Sequence, residues 1–362
     1  MLKDIALPHI AGLAVYEPGR PIEEVARELR LRPETVIKLA SNENPLGPSP
    51  KAVAAMRRAL KTTHLYPDGG GFYLRQGLAK HLGARPENIV LGNGSNEIIE
   101  LLVHAFVAPG DPVVYAERSF AVYALCARLF QAQPLVVPAK NHTHDLDAML
   151  AAINGRTKLV FIANPNNPTG TRVPNEALDR FLSRVPARTI VAIDEAYYEF
   201  LDDPPQTLRH IKRGMPNLIV MRTFSKIVGL AGLRIGYGVA CAEMVGLLNK
   251  VRQPFNVNAI AQAGALAALD DRAHIERTRR LNRQGLAYLG EEFRKLKLEF
   301  IPSEANFICV RVGEGGKVFN ALQRRGVIVR PMGGYAMPEW IRVTVGTMAE
   351  NRRFIRELQR LV

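Results

Sequence analysis

Two uninterrupted apolar runs, each ending in an abrupt polar motif, constrain this chain more than any other feature. Thr157 to Ala163 is rich in β-forming side chains, and the run stops at Asn164-Pro-Asn-Asn-Pro-Thr-Gly170. Thr189-Ile-Val-Ala-Ile repeats the pattern and stops at Asp194-Glu-Ala-Tyr197. A strand with one wet face alternates apolar and polar residues, whereas a strand covered on both faces reads as a continuous apolar run. Open α/β sheets built from such strands place their ligands beyond the carboxyl ends, where both motifs stand. The chain therefore reads as α/β, with a mostly parallel sheet between helices.

A third segment points to a phosphate. Asn88-Ile-Val-Leu-Gly-Asn-Gly-Ser-Asn-Glu97 is a short apolar strand, a glycine turn, then a helix through about Val107. Unpaired amides at a helix N-terminus, with the dipole behind them, suit an anion, so the backbone of Gly94, Ser95 and Asn96 is the expected cradle. Strand–glycine–helix alone is common. It gains weight from Met221-Arg-Thr-Phe-Ser-Lys-Ile-Val-Gly-Leu-Ala-Gly-Leu-Arg-Ile-Gly-Tyr237. There Thr223 and Ser225 offer hydroxyls, Arg234 offers a planar fork of donors, and Lys226 offers an amine that can condense with an aldehyde. A solvated lysine beside a glycine-rich turn is the plainer alternative, and it leaves the hydroxyls and the arginine unexplained. Asp194, at the end of a buried strand, needs a partner, since an unpaired buried charge costs several kcal/mol.

Composition sets the outer limits. The 362 residues are 47% hydrophobic and 23% charged, enough for a sizeable core and two domains. Cys126, Cys241 and Cys309 lie far apart; they suit buried thiols in a reducing compartment, and no metal site is expected. No apolar run reaches the ~18 residues of a membrane span, and Met1 to Ile10 lacks a signal-peptide core, so a cytoplasmic location without membrane contact is expected. The net charge is +14, but the basic residues are scattered rather than gathered in a stripe with aromatics, so no nucleic acid partner is expected.

In chain order, residues 1–40 read as an N-terminal arm with a helix near Pro21 to Arg30. Residues 41–258 read as a large domain, and 259–362 as a small α+β domain of long helices followed by alternating strands and helices. Within the last part, Arg330 stands at a strand end before a glycine turn, and Arg342 stands inside the alternating strand Trp340-Ile-Arg-Val-Thr344. By alternation alone Arg342 points to solvent or grips an anion.

Taken in order, Asn42-Glu-Asn-Pro45, Tyr66-Pro67, Gly92-Asn-Gly-Ser95, Asn164 to Gly170, Asp194 to Tyr197, Ser225-Lys226 and the C-terminal arginine form one series over nearly the whole chain. The series resembles the pyridoxal-phosphate-dependent aminotransferases of fold type I, and within them the histidinol-phosphate aminotransferase branch. The resemblance implies a large domain with a seven-stranded sheet and a small C-terminal domain. It implies pyridoxal 5'-phosphate on Lys226, with Asp194 on the pyridine nitrogen and Asn167 and Tyr197 on the phenolic oxygen. Phe120 is implied to stack on the ring, and Gly94, Ser95, Asn96, Thr223, Ser225 and Arg234 to hold the phosphate. Tyr66 is implied to reach the partner's phosphate in a homodimer with active sites at its interface. Arg342 and Arg330, with Tyr16 and Asn44 from the arm, are implied to hold the substrate. Amino transfer between histidinol phosphate and 2-oxoglutarate is the activity implied. An aromatic-amino-acid aminotransferase and a decarboxylase of amino-acid phosphates share this scaffold. A DNA-binding regulator would need a winged-helix domain, for which motifs starting near residue 40 are expected to leave no room.

Overall fold

The computed structural model describes residues 2–13, 15 and 19–362; Tyr16 lies outside them. In chain order the strands are β1 (Ile37–Lys38), β2 (Ile89–Gly92), β3 (Pro112–Ala116), β4 (Gln133–Val137), β5 (Leu159–Ala163), β6 (Ile190–Asp194), β7 (Leu218–Thr223), β8 (Gly236–Val239), β9 (Phe300–Ile301), β10 (Phe307–Arg311), β11 (Val327–Ile328), β12 (Arg330–Pro331) and β13 (Trp340–Thr344).

Seven of them form one sheet in the order β2-β8-β7-β6-β5-β3-β4. Its neighbours from β7 to β4 run parallel, and β8 is antiparallel to both β7 and β2. The two runs that opened the argument are β5 and β6, paired in parallel from Leu159↔Ile190 to Ala163↔Asp194. Every residue of both is buried, as their unbroken apolar sequence requires. One sheet face packs Phe161, Ala192 and Ile219 against the helix Ser95–Phe106. The other packs Val160, Val191 and Val220 against the helix Asn175–Arg184. A seven-stranded, mostly parallel sheet between helices is the architecture anticipated from sequence.

The C-terminal part carries the antiparallel sheet β12-β13-β10-β9, backed by the 24-residue helix Arg272–Lys295 and the helix Met348–Leu358. Leu289, Phe293, Phe354 and Leu358 of these helices meet Ile308, Val310, Ile341 and Val343 of the sheet in one core. The anticipated strand Val327 to Arg330 is instead two short pieces, with β11 paired to β1 and β12 paired to β13. Residues 37–42 thus run between the two ends of this C-terminal part. Leu39 N donates to Ile328 O, while Leu39 O accepts from Thr344 N. Cys126 and Cys309 are buried as anticipated, but Cys241 is only half-buried. It stands at the N-cap of the helix Ala242–Val251, where its sulfur accepts from Met244 N.

Candidate active site

The carboxyl ends of β5, β6 and β7 open into a cavity of about 360 Å³. Its wall brings together Gly94, Ser95, Asn96, Phe120, Asn167, Asp194, Tyr197, Thr223, Ser225, Lys226 and Arg234. Those residues come from five separate sequence segments, and all were singled out from sequence.

One end of the cavity is built for an anion. The helix Ser95–Phe106 begins after Gly94, whose φ of +75° favours glycine, and its first amides face no helical partner. Strand β8 approaches this helix end closely. A Cβ on Gly236 would lie 2.4 Å from Ser95 N, and one on Gly94 would lie 2.7 Å from Arg234 Nη2. The backbone can therefore cradle a ligand only because both positions lack side chains. Thr223 Oγ1 donates to Ser225 Oγ at 3.0 Å and accepts from Ser225 N, fixing two hydroxyls beside the guanidinium.

Asp194 ends β6 at the far side. Its Oδ2 accepts from Tyr123 Oη at 2.8 Å and its Oδ1 from Ala196 N at 3.1 Å. Burial pushes the carboxyl up from its ordinary range, against the pull of Tyr123 and Ala196. The missing contribution is a cation in the cavity, which a protonated ring nitrogen would supply. Phe120, half-buried, presents an aromatic ring on the same wall.

Lys226 is half-buried, and its Nζ donates to Ser41 O at 3.4 Å. Burial, reinforced by the charge of Arg342, pushes its amine down to about 8. A neutral, nucleophilic amine is thus accessible near physiological pH. Tyr197 lies against it, with Nζ 5.7 Å from the ring centroid. Burial pushes the Tyr197 phenol up to about 12, so it stays protonated. Its oxygen accepts from Asn42 Nδ2 at 2.9 Å.

Arg342 is buried, so of the two orientations open to it in an alternating strand the fold takes the inward one. Its Nη1 donates to Asn167 Oδ1 at 2.6 Å and its Nη2 to Ala40 O at 3.0 Å, which places it directly behind the cavity wall. Nε of this arginine is buried with no hydrogen-bond partner among the described residues. Arg330 stands on β12 in register with Arg342 and is half-buried; it lines a neighbouring hollow with Tyr335 rather than the cavity itself.

Two other sequence expectations fall outside the cavity. Asn44 turns away from it, donating to Ile227 O at 2.7 Å and to Thr278 Oγ1 at 3.1 Å, and so ties its loop to the lysine segment. Tyr66 is 84% exposed and stacks on Phe255 with centroids 4.8 Å apart. Tyr16 is not among the described residues. Conversely, sequence reading passed over Tyr123 and Asn42. Tyr123 stands three residues beyond Phe120 at the start of one helix, a spacing that puts both rings on one face and was available as a signal. Asn42 carried none, since its partners Thr344 and Tyr197 are remote in sequence. Glu195, next to Asp194, is fully buried against Arg222.

Known proteins resemble this chain in sequence and fold. The family model for aminotransferase class I and II matches residues 34–358. A histidinol-phosphate aminotransferase of Akkermansia muciniphila is 49% identical over 362 residues, spanning 100% of this chain and 99% of that protein. Histidinol-phosphate aminotransferase 1 of Cupriavidus pinatubonensis is 53% identical, spanning 97% of this chain and 95% of its own. Among solved structures, the histidinol-phosphate aminotransferase of Sinorhizobium meliloti in complex with pyridoxal-5'-phosphate superposes with a TM-score of 0.89 at 29% identity. It covers 98% of this chain and 96% of that one.

Proposed function

The chain belongs to the class I and II aminotransferases, and from that premise we propose that it moves an amino group between L-histidinol phosphate and 2-oxoglutarate, giving imidazole-acetol phosphate and glutamate. The observation that carries the reading is one cavity holding an aldehyde-reactive lysine, Lys226, a buried carboxylate, Asp194, and an anion cradle at Gly94 to Asn96. Pyridoxal 5'-phosphate fits these three features. Lys226 would bind its aldehyde, Asp194 its ring nitrogen, Asn167 and Tyr197 its phenolic oxygen, and Phe120 its ring face. The amides of Gly94, Ser95 and Asn96, with Thr223, Ser225 and Arg234, would hold the phosphate. When bound, the cofactor supplies an electron sink conjugated with the substrate nitrogen.

The chain's own residues do the rest. Lys226, as a free amine, would take the proton from the substrate carbon that bears nitrogen and return it on the far side of that nitrogen. Its amine suits this work because burial and Arg342 hold it near neutrality. Asp194 keeps its partner cationic, and Tyr123 and Ala196 N hold its two oxygens in place. Arg342 would receive the substrate anion, a phosphate in one half-reaction and a carboxylate in the other, with Arg330 in register beside it at the adjoining hollow. Guanidinium forks suit both groups. Residues 41–258 form the cofactor-binding domain in this reading and 259–362 the small domain, following the arm of residues 1–40. A homodimer completes it. Leu65, Tyr66, Phe72, Tyr73 and Phe255 are exposed together, and Tyr66 would reach the partner's phosphate site across that face. A cytoplasmic location goes with the same reading.

The test is a half-reaction on cofactor-loaded protein, titrated separately with histidinol phosphate, phenylalanine and glutamate. Loss of visible absorbance should be far more efficient with histidinol phosphate than with phenylalanine. Preference for phenylalanine would make the protein an aromatic-amino-acid aminotransferase. Absence of a visible band, with Lys226→Ala identical to the parent, would overturn the reading altogether.

A further inference from the structure

Asn42 is buried, sits in the left-handed region at φ +56°, and makes four hydrogen bonds. Its backbone N donates to Thr344 Oγ1 at 2.9 Å, and its carbonyl accepts from Asn306 Nδ2 at 3.0 Å. Thr344 Oγ1, having accepted that amide, turns its own hydrogen onto Asn42 Oδ1 at 3.2 Å. The side-chain amide thus faces Thr344 with its oxygen. With Oδ1 held by Thr344, the other end must be Nδ2, and it lies 2.9 Å from Tyr197 Oη. The Tyr197 oxygen is therefore occupied on its acceptor side by a donor. A phenol has one hydrogen, and it cannot point at a group that is already donating to it. It has to point elsewhere, and Tyr197 lines the cavity.

We propose that Asn42 is a positioning residue: its amide, locked by Thr344, turns the Tyr197 hydroxyl into an obligatory donor toward the cavity. The inference rests on the cavity being the pyridoxal-phosphate site, and it adds a reason why Tyr197 donates there rather than accepts. Thr344 stands two residues beyond Arg342 on β13, so the strand that carries the anion grip also sets the polarity of the tyrosine. The Asn42–Thr344 bond spans 302 positions in sequence, and only the fold brings its ends together.

The substitution that tests this is Asn42→Asp, nearly identical in shape. A carboxylate in place of Nδ2 accepts, so the phenol hydrogen turns onto it and away from the cavity. The readout is the pH at which the visible absorbance of the lysine-bound cofactor changes. A donor to the cofactor's phenolic oxygen stabilises the deprotonated chromophore, so losing it should move the midpoint up by about one pH unit, the tenfold change expected for one hydrogen bond to a charged oxygen. Thr344→Val, which unlocks the amide, should move it in the same direction, and Thr344→Ser should restore the parent midpoint. In a Tyr197→Phe background, Asn42→Asp should produce no further shift. Thermal unfolding of the same variants without cofactor separates this effect from a loss of fold, since a purely structural Asn42 would lower that midpoint and leave the chromophore alone. An unshifted chromophore in both Asn42→Asp and Thr344→Val, or shifts that add to that of Tyr197→Phe, would overturn the proposal. Absence of a visible band in the parent would instead overturn the cofactor reading beneath it.

Discussion

The ion pair beneath the site offers the sharpest quantitative test. Glu195 is wholly buried and Arg222 is 5% exposed. The guanidinium donates to Glu195 Oε2 from Nε at 2.8 Å, and its Nη2 lies 2.7 Å from the same oxygen. Thr207 donates to the other carboxylate oxygen, and the guanidinium also lies 3.4 Å above the Tyr198 ring. Glu195→Leu leaves a buried guanidinium without its anion, which costs about 3–5 kcal/mol. Two hydrogen bonds to charged groups, at about 1.5–3 kcal/mol each, bracket the same range. With an unfolding entropy of roughly 2.1 cal/mol/K per residue, or about 0.8 kcal/mol/K for the chain, the unfolding midpoint should fall by about 4–7 °C. The assay is thermal unfolding of cofactor-free protein followed by circular dichroism. Arg222→Met should cost a similar amount. The double variant should recover most of the loss, because a well-packed apolar pair often matches a buried ion pair. If the two single costs simply add, the residues do not act as a pair and the reasoning fails.

Three further outcomes follow from the same geometry. Burial pushes Glu199 up to about 7, against the pull of Arg222, so the folded chain binds this proton more tightly than the unfolded one. Its contribution is full below pH ~4.5 and lost as pH rises through 7; Glu199→Gln should flatten that slope in urea midpoints, by at most on the order of 3 kcal/mol. Because the free Lys226 amine is held near 8, the rate of cofactor uptake should rise about tenfold per pH unit below that value and level off above it, as stopped-flow absorbance would report. A pH-independent rate would exclude the neutral amine as the attacking group. Arg234→Lys replaces a planar fork beside Ser225 by a point charge, and equilibrium dialysis should show cofactor affinity down by about tenfold or more.

Much of this site was legible from residue order because its parts are strand ends. Asn167 and Asp194 follow buried apolar runs, and a parallel sheet brings the ends of such runs side by side whatever the loops between them do. Ser225 and Arg234 were legible because hydroxyl, lysine, glycine and arginine lie within one segment. Arg342 was less so. An alternating strand allows it either face, and only the carbonyl of Ala40 and the side chain of Asn167 decide for the interior. Asn44 attracted attention as part of a recognisable loop, yet its amide is consumed by Ile227 and Thr278. The importance of the neighbouring Asn42 comes wholly from contacts to distant segments. Side-chain partnerships across hundreds of residues leave no local pattern to read.

The passage of residues 37–42 between β11 and β13 has a consequence for the birth of the molecule. A ribosome releases this segment before any strand of the seven-stranded sheet, and the strands on either side of it after all of them. The seven-stranded sheet, complete by Val239, can assemble while synthesis continues. Lys226 and Asp194 are then already in place, but Tyr197 lacks Asn42's support and Asn167 lacks Arg342. A nascent chain arrested before β13 should thus be largely folded and yet have an open, unfinished pocket. Competence for chemistry arrives only once β13 has been made and has closed on residues 37–42.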